Sequence, residues 1–118
     1  MTTAWRETTA RVIEIPACAT TGKFAYDSLL TTLQAIGASS ETSPLLLGSF
    51  SAASNVTGIT LDMQRVCLMM HQYGGLVVFD CAAWASHLKV DMNPIKNDPA
   101  AAPDAIFMSP HKLAGGPG

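Results

Sequence analysis

Apolar residues in this chain fall into two kinds of grouping that take turns along the sequence. Short unbroken runs come first: Leu45-Leu46-Leu47-Gly48-Ser49-Phe50, Leu76-Val77-Val78-Phe79 and Ala105-Ile106-Phe107-Met108. Such runs suit strands buried on both faces, as in a parallel sheet. Between them, apolar residues recur every three or four positions. Leu29, Leu30, Leu33 and Ile36 predict a helix from Asp27 to about Ile36, with Gly37 as its stop. Val66, Cys67, Met69 and Met70 predict a second helix from Leu61 to about Tyr73, capped by Thr60 or a neighbour and ended by Gly74-Gly75. Arg11-Val12-Ile13-Glu14-Ile15 reads as a further strand stopped by Pro16, giving four strands in all. Ser39–Pro44 and Asn93–Pro103 are rich in turn formers and read as a linker and a surface loop.

Strands alternating with helices predict an α/β fold, a mostly parallel sheet with flanking helices and right-handed crossovers. Ligands in such sheets gather beyond the carboxyl ends of the strands. Asn55, Asp80 and Lys112 each follow the end of an expected strand, so they are expected to converge on one edge.

Composition narrows the class. The chain has 118 residues, 48% of them hydrophobic and 14% charged, with a net charge of -2. This excludes disorder and gives no basic surface for nucleic acid or anionic lipid. No apolar run approaches the roughly 20 residues of a membrane span. The amino-terminal residues lack a secretory pattern, so an intracellular, cytoplasmic protein is expected. Three cysteines without metal-type spacing argue against a disulfide framework or zinc site. Buried, inert thiols are expected, Cys67 in a helix and Cys81 after a strand.

The chemistry concentrates near the end of the sequence, in Ser109-Pro110-His111-Lys112 and the glycine-rich residues after it. A neutral lysine amine forms an imine with an aldehyde. Ser109 and His111 can donate to a phosphate, and glycines let backbone approach a ligand. Asp80 ends an apolar strand, where a carboxylate seeks a cationic partner. The protonated pyridine nitrogen of pyridoxal phosphate (PLP) is one; capping of the next segment is the other. Lysine and aspartate together suggest a PLP site. Asn55 could reach such a ring or a substrate carboxylate, or form an Asx-turn. His71, late in the helix, is read as a structural partner, and His87 as a surface or packing residue.

The series Ser54-Asn55-Val56-Thr57-Gly58, His71-Gln72-Tyr73-Gly74-Gly75, Val77-Val78-Phe79-Asp80, His87-Leu88-Lys89-Val90-Asp91 and Ser109-Pro110-His111-Lys112 resembles the class V aminotransferase family of PLP enzymes. That family includes cysteine desulfurases, selenocysteine lyases and kynureninases. The resemblance implies the fold type I large domain around a seven-stranded sheet, in a homodimer that binds a small amino-acid substrate. It implies Lys112 as the Schiff-base lysine, Asp80 on the pyridine nitrogen, Ser109 and His111 on the phosphate and Asn55 near the ring. Many members carry a glutamine near the phenolic oxygen three residues after the aspartate. Here that position is Ala83, so the hydrogen bond is missing or supplied elsewhere.

The family's ring-stacking residue and glycine-threonine phosphate loop precede the matched segments. Its substrate arginine, mobile cysteine and small domain follow the lysine. Residues 1–118 are therefore expected to be the central part of the large domain, lacking the N-terminal segment and the C-terminal small domain. Such a slice would expose apolar surface and be poorly soluble alone.

Three readings follow. The first is a fragment of a PLP enzyme most like a cysteine desulfurase or selenocysteine lyase, with a class V aminotransferase or kynureninase-like hydrolase also open. The second is an inactive truncated product or degenerate paralogue. The third, a nucleotide-binding domain, suffers because the glycines follow the lysine, whereas a P-loop needs them before it.

Overall fold

The computed structural model describes residues 5–39, 45–53, 60–83, 85 and 89–113. Its elements are helix α1 (Tyr26–Ser39), strand β1 (Leu47–Ser51), helix α2 (Met63–Gln72), strand β2 (Leu76–Asp80) and strand β3 (Ala105–Phe107). Two 3-10 turns, Pro99–Ala101 and Pro110–Lys112, lie before and after β3. The strands form a parallel sheet in the order β1-β2-β3. The architecture is thus the expected α/β one, consistent with part of a PLP fold type I domain.

Register divides the sheet into two faces, because paired residues point the same way. Gly48 and Val77 share one face with Phe50, Phe79 and Ile106. Both helices cover this face. Leu29 and Leu33 of α1 and Val66, Cys67 and Met70 of α2 close over Val77 and Phe79 in one buried cluster. Gly48 leaves room there: a Cβ would sit 2.8 Å from the Met70 Cε and closer still to the Phe50 ring, so those side chains would have to shift. The opposite face carries Leu47 and Leu76, then Ser49, Val78 and Ala105, then Ser51, Asp80 and Phe107. Trp5 reaches part of it, its indole N–H donating to Ser49 Oγ at 3.1 Å. Leu47, Leu76 and Phe107 remain 41–48% exposed.

The ends of α2 follow from local chemistry. Asp62 is the N-cap, two residues after Thr60; its carboxylate accepts from the Arg65 N–H at 3.1 Å. The Arg65 guanidinium lies 4.1 Å over the Tyr26 ring, and the Tyr26 hydroxyl accepts from the Asp62 N–H. At the other end Gly74 takes φ +72°. Its N–H donates to His71 O while the Gly75 N–H donates to Met70 O, the paired bonds of a Schellman stop.

Four expectations change. Residues 11–15 form no strand: Val12 and Ile13 are exposed, and only an isolated bridge, Ala17 to Phe24, follows. A β-branched run without a partner strand has no ladder to join. The described residues therefore hold three strands, not four. Gly37 does not stop α1, which continues to Ser39. Finally, β1 is buried on one face only.

Candidate functional site

The carboxyl end of the sheet holds Asp80 and the strand end from which the Ser109–Lys112 segment departs. Asp80, the last residue of β2, stands in register with Ser51 of β1 and Phe107 of β3. Its backbone carbonyl accepts from the Ala52 N–H at 2.9 Å, and the next residue, Cys81, donates to Phe107 O at 2.7 Å. All three strand ends are therefore pinned side by side. The half-buried Asp80 carboxylate accepts from the Ala82 N–H at 2.9 Å through Oδ1. The capping role is real, but it occupies one oxygen. Ala83, in the turn that follows, offers only a methyl group.

Beyond β3 the chain enters the turn that contains Lys112. Ser109 stands at its N-cap position, yet its hydroxyl makes no capping bond. The turn is closed by backbone instead: Lys112 N–H donates to Ser109 O, and Leu113 N–H to Pro110 O, both at 3.0 Å. His111 and Lys112 are exposed and make no ion pair among the described residues. Asn55 and His87 lie outside the described residues, as does the glycine run after Leu113. Residues flanking Asn55 are fixed: Ala53 pairs with Thr60, and Leu61 N–H donates to Ala52 O. That anchor sits beside Asp80.

At the amino end of the sheet lies a cluster that sequence reading saw only in part. His71 Nδ1 faces Ala100 O at 2.7 Å, and Nε2 faces Asp104 Oδ2 at 2.8 Å. Both partners can only accept, so the two bonds together require the imidazolium. Burial opposes that charge. The Asp104 hydrogen bond, the Ala100 carbonyl and the Asp104 charge outweigh it and hold the His71 pKa above the ordinary histidine value. Burial likewise opposes the charge on Asp104, but the His71 hydrogen bond, the Val77 amide and the His71 charge hold its pKa below the usual carboxylate range. His71 is thus the structural partner expected of it. Asp104 was missed because nothing local marks it; an aspartate immediately before an apolar run is the only hint.

The thiols divide. Cys67 and Cys81 are buried as expected. Burial, with the Asp104 charge, pushes Cys67 up to about 12, and burial with the Asp80 charge raises Cys81. Cys18 departs from the inert pattern: it is partly exposed, and hydrogen bonds from Thr20 and Thr21 lower it to about 6.

The family profile Aminotransferase class-V matches residues 7–118. The chain belongs to that family. No individual curated protein matches it. Class V aminotransferases are in general PLP-dependent and act on amino-acid substrates. Among the described residues, no helix is long and apolar enough to cross a membrane, and no His, Cys, Asp or Glu group could hold a metal ion.

Proposed function

We propose that this chain supplies the cofactor-holding centre of a PLP-dependent enzyme acting on an amino acid, most like a cysteine desulfurase or selenocysteine lyase. The observation that carries the reading is the parallel register of β2 with β3, which sets Asp80 beside Phe107, two residues before Ser109 and five before Lys112. The donor set fits PLP. Asp80 keeps one carboxylate oxygen beyond its turn bond for a pyridine nitrogen, and the Ser109 hydroxyl is unspent on its own turn.

In this reading the Lys112 amine would hold the cofactor by its aldehyde, whose oxygen leaves as water, and would serve as proton base and acid. Ser109 and His111 donate to its phosphate. Asp80 would pair with the ring nitrogen and keep it protonated, and Asn55 would serve the ring. At Ala83 a methyl group stands where relatives place a glutamine, so a phenolic oxygen would take its hydrogen bond from elsewhere. When bound, PLP supplies an electron sink for bonds at the amino-acid α-carbon. Residues 1–118 form the central part of a large domain, and the functional unit is a homodimer working in the cytoplasm.

The test is PLP addition, borohydride reduction and peptide mass mapping. A reduced pyridoxyl adduct confined to Lys112, and lost in Asp80→Ala, is the expected result. Adducts spread over Lys23, Lys89 and Lys96 would overturn the reading and favour an inactive product.

A further inference from the structure

We infer that Asp104 is a positioning residue: its carboxylate, held by His71, locks the register of β3 on β2 and so sets the height of the Ser109–Lys112 turn beside Asp80.

Strand β3 has only three residues. A strand that short makes few ladder bonds, and a slip of one residue would turn every side chain to the opposite face. The sequence Ala105-Ile106-Phe107-Met108 does little to forbid such a slip, since it is apolar throughout and lacks alternation. Something outside the strand must specify the register.

Asp104 supplies it. Val77 is fully buried, and its N–H points toward the β3 side of β2 before β3 has begun. A buried backbone donor without a partner is costly. Asp104 Oδ2 accepts from that N–H at 2.7 Å, and the Asp104 N–H donates to Val77 O at 2.9 Å. Side chain and backbone of one residue thus satisfy both polar groups of Val77, a two-point contact that a slipped strand cannot make. The same Oδ2 accepts from His71 Nε2, while His71 Nδ1 is tied to Ala100 O. His71 belongs to α2 and Ala100 to the 3-10 turn that leads into β3. The carboxylate is therefore held from α2 as well as β2, and the 3-10 turn in turn holds the His71 ring. From Asp104 the path to Lys112 is eight residues long and is fixed on the way by Cys81 N–H on Phe107 O.

Amide hydrogen exchange on the full 118-residue chain tests this with Asp104→Ala and Asp104→Asn. The Val77 and Cys81 amides report the β2–β3 seam, and Lys112 and Leu113 report the turn. Ala52 and Leu76 report the β1–β2 seam, because they donate to Asp80 O and Leu46 O. In Asp104→Ala, exchange at Val77, Cys81, Lys112 and Leu113 is expected to rise about tenfold, the scale of one hydrogen bond to a charged group. Ala52 and Leu76 should keep their protection. Asp104→Asn retains an oxygen for the Val77 N–H and should restore most of the loss.

An equal rise at all six amides would overturn the inference and leave a merely structural residue. So would a rise at Val77 alone, which would make Asp104 a local cap. The share of trapped pyridoxyl adduct on Lys112 should fall in parallel in Asp104→Ala. This last arm alone rests on the cofactor reading. Unselective labelling of the unaltered chain would sink that reading, while the exchange pattern would still decide the register.

Discussion

The two ends of the sheet are built to opposite rules. At the amino end polar groups are matched: Leu76 N–H to Leu46 O, both Val77 groups to Asp104, both His71 nitrogens to oxygen, and the last carbonyls of α2 to Gly74 and Gly75. At the carboxyl end hydrogen-bonding capacity is left over. The Asp80 carboxylate spends one oxygen on its turn, the Ser109 hydroxyl caps nothing, and His111 and Lys112 are exposed. Phe107 and Met108 stand about half exposed beside them. The difference teaches a division of labour: strand register is secured where no ligand gathers, so the opposite ends can carry groups that do not stabilise the fold.

Phe79→Ala should break the comparison outright. Phe79 is fully buried, the next-to-last residue of β2, among the Phe50 ring and the core of α2. Its truncation should cost about 4 kcal/mol through lost burial and the cavity left behind. Both ends should then lose exchange protection together, seen as one shift of the urea midpoint. Loss of protection at one end alone in Phe79→Ala would show that this side chain does not hold the two ends together.

Asp104→Ala comes next and should separate the ends. It strands the buried Val77 N–H and leaves His71 without its acid partner. The expected loss is about 2 kcal/mol, the cost of an unsatisfied buried donor. Asp80→Ala removes one part-buried turn bond and should cost about 1 kcal/mol. Urea titration of the two variants checks the order. An equal loss would mean that Asp80 is as structural as Asp104, against its proposed role.

Much of this arrangement was legible in the chain. The apolar runs at 45–50, 76–79 and 105–108 mark the three strands because a parallel sheet is rich in apolar residues, even though one face of this sheet stays partly exposed. Spacing marks both helices. What was not legible depends on distant partners. Residues 11–15 have strand composition but no strand to pair with among the described residues, and the helix runs two residues past the Gly37 stop signal. Of the candidate site, Asn55, Asp80 and Lys112 were expected to follow strand ends: Asp80 ends β2 and Lys112 comes after β3, while Asn55 lies outside the described residues. Asp104 could not, because its meaning lies in Val77, 27 residues away.

The pH dependence sharpens the contrast further. The His71 pKa is raised on folding, so its contribution is fully present below the ordinary value of 6.5 and is lost as pH rises through the folded value. The Asp104 pKa is depressed, so its contribution is present above 3.8 and is lost as pH falls through the folded value. The clamp should therefore be strongest between those two ordinary values and weaken on either side. Because Asp104 is more than a third exposed, solvent screening holds the effect to about 0.5–1 kcal/mol. The stability difference between the unaltered chain and His71→Gln, followed by melting temperature against pH, should shrink above pH 6.5. A difference that stayed flat from pH 5 to 9 would mean that the imidazolium adds nothing.

The smallest effect expected is a gain, and it should fall at the amino end. Gly37 adopts helical backbone in the last turn of α1, where glycine is a poor residue because it loses the most freedom on folding. A Cβ built there meets the Tyr73 ring at 3.5 Å, an ordinary contact that displaces nothing. Tyr73 is the C-cap of α2, directly ahead of the Gly74-Gly75 stop that feeds β2. Gly37→Ala should therefore stabilise the chain by about 0.5 kcal/mol, partly through the unfolded state and partly by seating Tyr73. Exchange at Gly74 and Gly75 should slow slightly, while Lys112 and Leu113 should not change. Slowing at the carboxyl end as well would mean that packing of the helix pair is felt across the whole sheet, and that the two ends are less independent than their hydrogen bonds suggest.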